Sequence, residues 1–469
     1  MFRGLILVTI GLVLTLGSST LNAQAATPVN RNSTDEVRGV LNYIESISGT
    51  HIIAGQHDKP GYPTATYNRA QEITGQYPGI WGGDFGFSGS GNDTIYNRTE
   101  LVNQAKLKWS QGVIPSLTWH MTRPDKSEPG NWSGGLIDCG LSSDDWQAIT
   151  TPGTSYYNSF ISRIDSIVWA LQELQNAGVP VFWRPLHEMN GNWFWWGGNS
   201  YYSKELYKIM YDRYTNHWGL NNLIWVWNVD RPAGADLSQY YPGHEYVDIL
   251  SMDIYNNDFN YNYYQTMQNL ANGKPIALGE VGEIPTEDVL IQQPDWTWFM
   301  CWTEHLQENN SNAHIQSIYR LDRTLTRDEL GNFSDYINIG GNGSNQAYGK
   351  NVEVSSVESN AYKGEYTVDG DESTRWSSAY EDNQYIIVDL GEQMDISMVK
   401  LKWEDAYAKK YQIQISGNYN DWATVYENYN FTGGIEEVTL PVTSARYVKV
   451  YCIERATEYG FSLYELEVY

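Results

Sequence analysis

At 469 residues the chain is too long for one ordinary domain, and 41% apolar with 18% charged residues describes a foldable, globular composition. A formal net charge of -26 excludes a nucleic-acid partner, because a phosphate backbone needs a basic groove. The same charge disfavours anionic membrane surfaces and acidic polysaccharides, and it sets no barrier against a neutral polymer.

At the N-terminus, Arg3, the apolar run Leu5 to Leu16 and the polar stretch SSTLNAQAA read as a signal peptide over residues 1–25, ending in the small-x-small pattern Ala23-Gln24-Ala25. The run is short for a membrane span, so a secreted, extracellular protein with no membrane attachment is expected, acting as a monomer. Cys139, Cys301 and Cys452 allow at most one disulfide, and no Cys/His cluster has zinc spacing.

From 33 to 48, Val37, Val40, Leu41, Ile44 and Ile47 recur at helical spacing. HIIAGQ (51–56) is a strand running into His57 and Asp58, and 64–77 is a helix. IWGGDF (80–85) is a strand end with glycines that permit close approach; Trp81 and Phe85 there suit core packing better than an outer sugar site. A helix over 101–111 and a strand over 113–119 lead to His120. The Gly-, Pro-, Asp- and Ser-rich loop over 122–156 is long enough to need a role, such as covering or lengthening a cleft. A helix over 160–177 precedes the strand at 181–185, and a helix over 201–218 precedes a strand at 223–227 that ends at Asn228 and Asp230. Strands follow at 247–252, ending at Asp253 and Tyr255, and at 275–278, ending at Gly279 and Glu280, with a helix over 263–272 between them. Residues 296–302 are apolar, and 315–319 is a last short strand or the approach to a terminal helix.

Strand and helix alternate about eight times, with polar residues at the C-terminal ends of the strands, which is the pattern of a (β/α)8 TIM barrel over residues 26–336. A doubly wound sheet would carry a phosphate loop after its first strand, and GGDFGFSGSG has neither dinucleotide nor Walker spacing. INIGGNGSNQAYG (337–349) is a linker. Beyond it, over 350–469, the period changes to two, and short strands at 386–390, 398–403, 411–416, 423–426, 435–440, 447–453 and 463–468 describe a β-sandwich.

The chemistry centres on VFWRPLHEMNGNWFWWGG (181–198), a β-prone run that turns into charged and amide groups and then aromatics. Sugar rings, with apolar faces and equatorial hydroxyls, suit such a wall. Glu188 and Glu280 are each strand-end carboxylates; alone, either is as often a loop cap, but together in one barrel mouth they form an acid pair. Retaining glycoside hydrolysis needs two carboxyls about 5–5.5 Å apart, one ionised as nucleophile and one protonated as acid. Glu188, beside the run Trp193 to Trp196, suits the acid; Glu280 suits the nucleophile.

WRPLHEMNGNWFWWG and KPIALGEVG resemble glycoside hydrolase family 26, the secreted β-mannanase family, over roughly 35–335. The resemblance implies a retaining endo-β-1,4-mannanase acting on a β-linked neutral polysaccharide, with no catalytic cofactor. Mixed-linkage β-1,3-1,4-glucan and β-1,3-xylan are the alternatives within the family, and a non-catalytic glycan-binding barrel is the alternative outside it. Glu188 then matches the acid/base and Glu280 the nucleophile, with His187 hydrogen-bonded near the nucleophile. His120 and Tyr255 shape the sugar site, Trp193 stands beside the acid/base, and Arg184 braces the two carboxylates; because the 2-hydroxyl of mannose is axial, the contacts around Glu188 and Asn228 should differ from those of a glucanase. Trp302 is the sugar platform, with Trp298 competing for that role. EYTVDGDESTRWSS, YIIVDLGE, KKYQIQISGNYNDWATV, ARYVKVY and SLYELEVY are similar to the coagulation factor 5/8 type C, or discoidin-like, family, whose bacterial members include carbohydrate-binding modules. That likeness implies a jelly-roll fold and a structural Ca²⁺ held by Asp369, Asp371, Thr374 and Glu465, hard oxygen donors all. Tyr380 and Tyr459 are aromatics that can stack on sugar or stand as ordinary surface residues.

Overall fold

The computed structural model describes residues 28–469 except 60, 62–63, 87–94, 233, 338–344 and 372. The expected signal peptide, the later part of the glycine-rich GGDFGFSGSG stretch and most of the expected linker lie outside the described residues. Among the described residues no helix is long and apolar enough to cross a membrane.

Strands β1 (Ile52–His57), β2 (Ile80–Asp84), β3 (Ile114–Thr118), β4 (Val181–Arg184), β5 (Leu223–Asp230), β6 (Ile249–Ile254), β7 (Ile276–Val281) and β8 (Trp296–Cys301) pair in parallel. β1 bonds to both β8 and β2, which closes the expected barrel; β9 (Thr324–Leu325) adds to β1. Strands covered on both faces need apolar residues at every position, and that is why they read as continuous runs such as LIWVWNV. Around them lie α1 (Asp35–Ile47), α2 (Ala65–Thr74), α3 (Arg98–Ser110), α4 (Ser143–Thr150), α5 (Ser155–Asp165), α6 (Val168–Asn176), α7 (Ser200–Asp212), α8 (Tyr261–Ala271), α9 (Glu287–Gln292), α10 (His305–Glu308) and α11 (Asn312–Tyr319).

Three local expectations change. The single helix expected over 160–177 is two, because the Ser166 hydroxyl takes the carbonyl of Arg163 and gives the backbone another partner there. The long loop over 122–156 contains α4, started by a capping box in which Ser142 and Asp145 satisfy each other's backbone N–H. The segment at 315–319 is helix, inside α11.

Side chains alternate across a strand with period two, so each barrel strand sends every second residue inward. Near the bottom these are Ile53, Ile80, Ile114, Phe182, Ile224, Ile249, Ala277 and Trp298, one buried cluster with Val37, Val40, Leu41 and Ile44 of α1, which plugs that end. Further along the same faces come His57, Asp84, Thr118, Arg184, Asn228 and Asp253, all buried. Glu280 breaks the count, standing three places after Ala277. A β-bulge resolves it: Met252 pairs with Leu278 but Asp253 pairs with Glu280, so Gly279 is the extra residue and Glu280 joins the inward set. A Cβ on Gly279 would meet Asn228 Nδ2 at 2.5 Å and Arg184 Nη1 at 2.8 Å, so the bulged position must be glycine.

The C-terminal unit holds β10 (Asn351–Val354), β11 (Trp376–Ser377), β12 (Gln384–Trp403), β13 (Ala408–Ser416), β14 (Ala423–Asn428), β15 (Ile435–Arg455) and β16 (Ser462–Val468), all antiparallel, in the order β11-β16-β12-β15-β13-β14 with β10 on β12. β12 and β15 each join two strands expected separately; they bend at bulges between Asp389 and Met394 and between Ile396 and Met398, and the sheet folds over a core that includes Trp376, Tyr411 and Leu466. Ala347 is fully buried in that core and Val468 N donates to Asn345 Oδ1, so the sandwich begins ahead of the boundary expected at 350.

Trp298 is fully buried and stacked on Phe182 with centroids 4.6 Å apart. Trp298→Ala should therefore destabilise the barrel by about 3–5 kcal/mol, seen in urea unfolding as an earlier barrel transition beside an unmoved sandwich transition; a change below about 1 kcal/mol would deny this layer its role.

Candidate active site

The polar ends of the barrel strands converge on Arg184. Its Nη2 donates to Glu280 Oε1 at 2.7 Å, and its Nη1 to Asn228 Oδ1 at 2.7 Å and Asp253 Oδ1 at 3.5 Å. Burial opposes the guanidinium charge, but Glu280 and Asp253 outweigh it and raise its pKa. Asn228 Nδ2 donates to Asp253 Oδ1 at 2.9 Å, which locks the floor of the site. Glu280 Oε2 accepts from the Tyr255 hydroxyl at 2.7 Å; burial, then the Glu280 charge, keeps that phenol protonated and so a donor. Both oxygens of Glu280 are thereby held as acceptors in a fixed orientation.

Glu188 arrives differently. After β4 the chain adopts left-handed backbone at Leu186 (φ 51°) and Glu188 (φ 52°), a costly geometry for residues other than glycine. Glu188 N is tied to Asn228 O at 3.0 Å, and Trp193 Nε1 donates to Glu188 Oε2 at 2.7 Å. Burial first, then the charges of Glu280 and Asp230, pushes the Glu188 carboxyl well above the ordinary range, which favours its protonated form. Asp230 itself is pushed to about 6, mainly by burial. One oxygen each of Glu188, Asp253 and Glu280 lie within 4.8 Å of one another, the only such grouping of metal-ligating side chains among the described residues. Arg184 already supplies positive charge to two of the three.

Of the aromatic run, only Trp193 is at the mouth, 37% exposed. Trp195 and Trp196 are fully buried, donating to Met121 O and His187 O, each at 2.8 Å, and Phe194 stacks on Trp196. The reading of the whole run as substrate wall is thus corrected: most of it is packing that fixes the Glu188 turn. Trp81 and Phe85 are core, as favoured. Trp302 is half-buried and stacks on His57 at 4.0 Å, while Trp298 is at the barrel bottom. Trp132, from the long loop, stands 5.8 Å from His120 and extends this wall.

His120 and His187 face each other, Nε2 to Nε2, at 3.2 Å. His187 Nδ1 meets Thr118 Oγ1 at 3.3 Å. The expected bond from His187 toward the nucleophile is therefore replaced: both ring nitrogens are turned to His120 and Thr118. His57 and Asp253 were named from sequence only as strand ends with no role in the site, and Asp84, Thr118 and Trp132 were not singled out. All but Trp132 sit at inward positions of strand ends, so counting by two from the apolar floor finds them.

In the sandwich, Asp369 Oδ2 accepts from Thr374 Oγ1 at 2.9 Å and Asp371 Oδ1 from Ser373. Trp376 pairs with Leu463, a register that carries Thr374 toward buried Glu465. All four residues offer hard oxygen donors, which fits Ca²⁺ in kind, though they form no carboxylate grouping as tight as that of the barrel. Tyr380 and Tyr459 are 49% and 54% exposed and meet edge to face at 5.8 Å, with the Tyr380 hydroxyl on Glu358 at 2.7 Å. The three cysteines are free.

Residues 29–329 match Glycosyl hydrolase family 26, and 351–466 match the F5/8 type C domain. A mannan endo-1,4-beta-mannosidase of Thermothelomyces thermophilus is 35% identical over 66% of this chain and 64% of its own length. One of Bacillus subtilis is 30% identical over 69% of this chain and 95% of its own. Among solved structures, GH26A from Muricauda sp. MAR_2010_75 is 41% identical, covering 65% of this chain and all of that one with a TM-score of 0.62. A Podospora anserina GH26-CBM35 beta-(1,4)-mannanase is 32% identical, covering 67% and 71%, with a TM-score of 0.58.

Because Glu188 is held protonated, infrared spectra at pH 7 should contain a carboxylic-acid band that Glu188→Gln removes. Trp193 donates to the Glu188 carboxylate and lowers its pKa, so Trp193→Phe should carry that band to higher pH. A band that titrates at lower pH in Trp193→Phe would reverse the assigned role of this hydrogen bond.

Proposed function

This chain belongs to glycosyl hydrolase family 26, and from that membership we propose that it is a secreted, retaining endo-β-1,4-mannanase whose sandwich domain binds carbohydrate. The observation that carries the reading is the opposed pair, Glu188 protonated and Glu280 held as a two-sided acceptor by Arg184 and Tyr255, within 4.8 Å. That short spacing is of the retaining kind, and differs from the roughly 6.5–9.5 Å between the carboxyls of an inverting enzyme.

Glu188 delivers its proton to the glycosidic oxygen as that bond to the anomeric carbon breaks, and a Glu280 oxygen forms the new bond to the anomeric carbon. The leaving sugar departs with the proton. Glu188, now a carboxylate, takes a proton from water; the water oxygen bonds to the anomeric carbon and Glu280 is released. Trp302 is the platform, His120 and Asn228 border the sugar, and the exposed Trp193 edge lies on the Glu188 side. Activity requires protonated Glu188, whose pKa is raised, so it extends above the ordinary carboxylate range and falls as pH rises past that raised value.

Export is supported by the N-terminal apolar segment and cleavage pattern. In the sandwich, Tyr380 and Tyr459 offer two exposed ring faces beside the acceptor Glu358, an arrangement suited to a sugar ring. Asp369, Asp371, Thr374 and Glu465 would hold a structural Ca²⁺.

Reducing-end release from mannan, mixed-linkage glucan and β-1,3-xylan tests the substrate: cleavage of mannan is expected, and preference for either other polymer would replace it. Glu280→Ala should lower kcat more than about a thousandfold; an active Glu280→Ala would remove the nucleophile assignment. Tyr380→Ala with Tyr459→Ala should weaken retention on insoluble mannan while leaving cleavage of short oligosaccharides unchanged.

A further inference from the structure

The Nε2-to-Nε2 contact of His120 and His187 holds one proton, since two lone pairs or two N–H groups facing each other at 3.2 Å repel. The outer nitrogens settle which ring carries it. His120 Nδ1 lies 2.5 Å from Asp84 Oδ2, while Asp84 Oδ1 accepts from Gly86 N and His120 N, so the carboxylate is an acceptor throughout and Nδ1 is protonated. Thr118 has one hydroxyl proton and donates it to Arg184 O at 2.8 Å. Toward His187 Nδ1 it is then an acceptor, so that nitrogen also bears hydrogen. Burial lowers the His187 pKa most and the Arg184 charge adds to it, which keeps the ring neutral and, with Nδ1 protonated, leaves its Nε2 bare. The shared proton belongs to His120.

We propose that Asp84 is a positioning residue that holds His120 as an imidazolium, giving the sugar-binding wall a fixed positive charge and His187 a single tautomer. This rests on the family 26 reading above for its catalytic consequence but not for its proton count. The charged and titratable groups facing His120 are Asp84 from β2, Arg184 and His187 from β4 and its turn, and His57 from β1. Arg184 is committed to Glu280, Asn228 and Asp253, so Asp84 is the carboxylate in contact with the imidazolium. The charged ring stands 5.8 Å from both Trp132 and Trp302, within reach of a cation–π attraction that steadies the platform. Without Asp84, His120 loses the carboxylate that bonds its Nδ1 and favours its second proton. The two bare Nε2 atoms would repel, and a ring would turn into the site.

Nitrogen NMR on the full chain labelled at histidine decides it. At pH 7 both His120 nitrogens are expected to be protonated, and His187 at Nδ1 alone; a bare His120 Nε2 overturns the proposal even if mannan is cleaved, in which case the active-site reading stands. The expected spectrum in a protein that cleaves no mannan would sink that reading and leave this one. Asp84→Asn should lower kcat/KM about 10- to 100-fold, the scale of a lost charged hydrogen bond. Its activity should also depend on pH differently from that of wild type, because the His120 ring no longer has the Asp84 carboxylate on Nδ1. An Asp84→Asn profile parallel to wild type overturns the proposal, and if that variant does not fold the wild-type spectrum decides alone.

Discussion

Arg184 is a guanidinium buried at the end of β4, 1% exposed, and the groups around it are what make that burial tolerable. Taking such a charge out of water costs several kcal/mol, and it is stable only where acceptors meet its N–H groups in good geometry. Glu280, Asn228 and Asp253 do so, from three neighbouring strands. Their convergence needs empty space between them, which the bulged Gly279 supplies. Once Glu280 is claimed by Arg184 and Tyr255, a second carboxyl brought to within 4.8 Å is pushed toward its neutral form. One buried cation thus divides two chemically identical side chains into an acceptor and an acid.

That division needs Glu188 to be delivered against resistance. Two left-handed residues, Leu186 and Glu188, put strain into the turn after β4, and the strain persists because the surroundings overdetermine it. Trp195 and Trp196 anchor the returning loop to Met121 and His187, Asn190 and Asp230 lace it to β5, and Trp193 holds the acid itself. The aromatic run works chiefly as scaffold, with one ring at the surface. On the opposite side, Asp84, His120, His187 and Thr118 form a continuous chain of hydrogen-bonding contacts. The site is stiff because few of its polar atoms have a choice of partner.

Much of this was legible in the sequence, for specific reasons. Parallel barrel strands must be apolar on both faces, so they stand out as runs, and the groups at their C-terminal ends mark the mouth. Glu188, Glu280, Arg184, Tyr255 and Asn228 were found that way, and the structure brings them together. What was missed had a weaker signal. Asp84 was passed over, and Asp253 and His57 were named only as strand ends, because one strand alone does not reveal which parity faces in. The break between α5 and α6 rests on one serine hydroxyl. Strands β12 and β15 were each divided in two because bulges interrupt the alternation that marks a strand.

The sequence by itself determined the two-domain organisation, the barrel, the acid pair and the character of the partner, because hydrophobic period and residue chemistry are local properties that survive without coordinates. Only the tertiary structure decided which way side chains point and whom they meet. Counting by two from Ala277 would have turned Glu280 away from the mouth; the bulge at Gly279 turns it in. Trp298 and Trp302 are alike in sequence, and four positions separate a ring stacked in the core on Phe182 from a half-buried ring stacked on His57. His187 is turned from the nucleophile to His120 by partners contributed from β2 and β3. Pairing register, bulges and burial are set between segments distant in the chain, so no stretch read alone contains them.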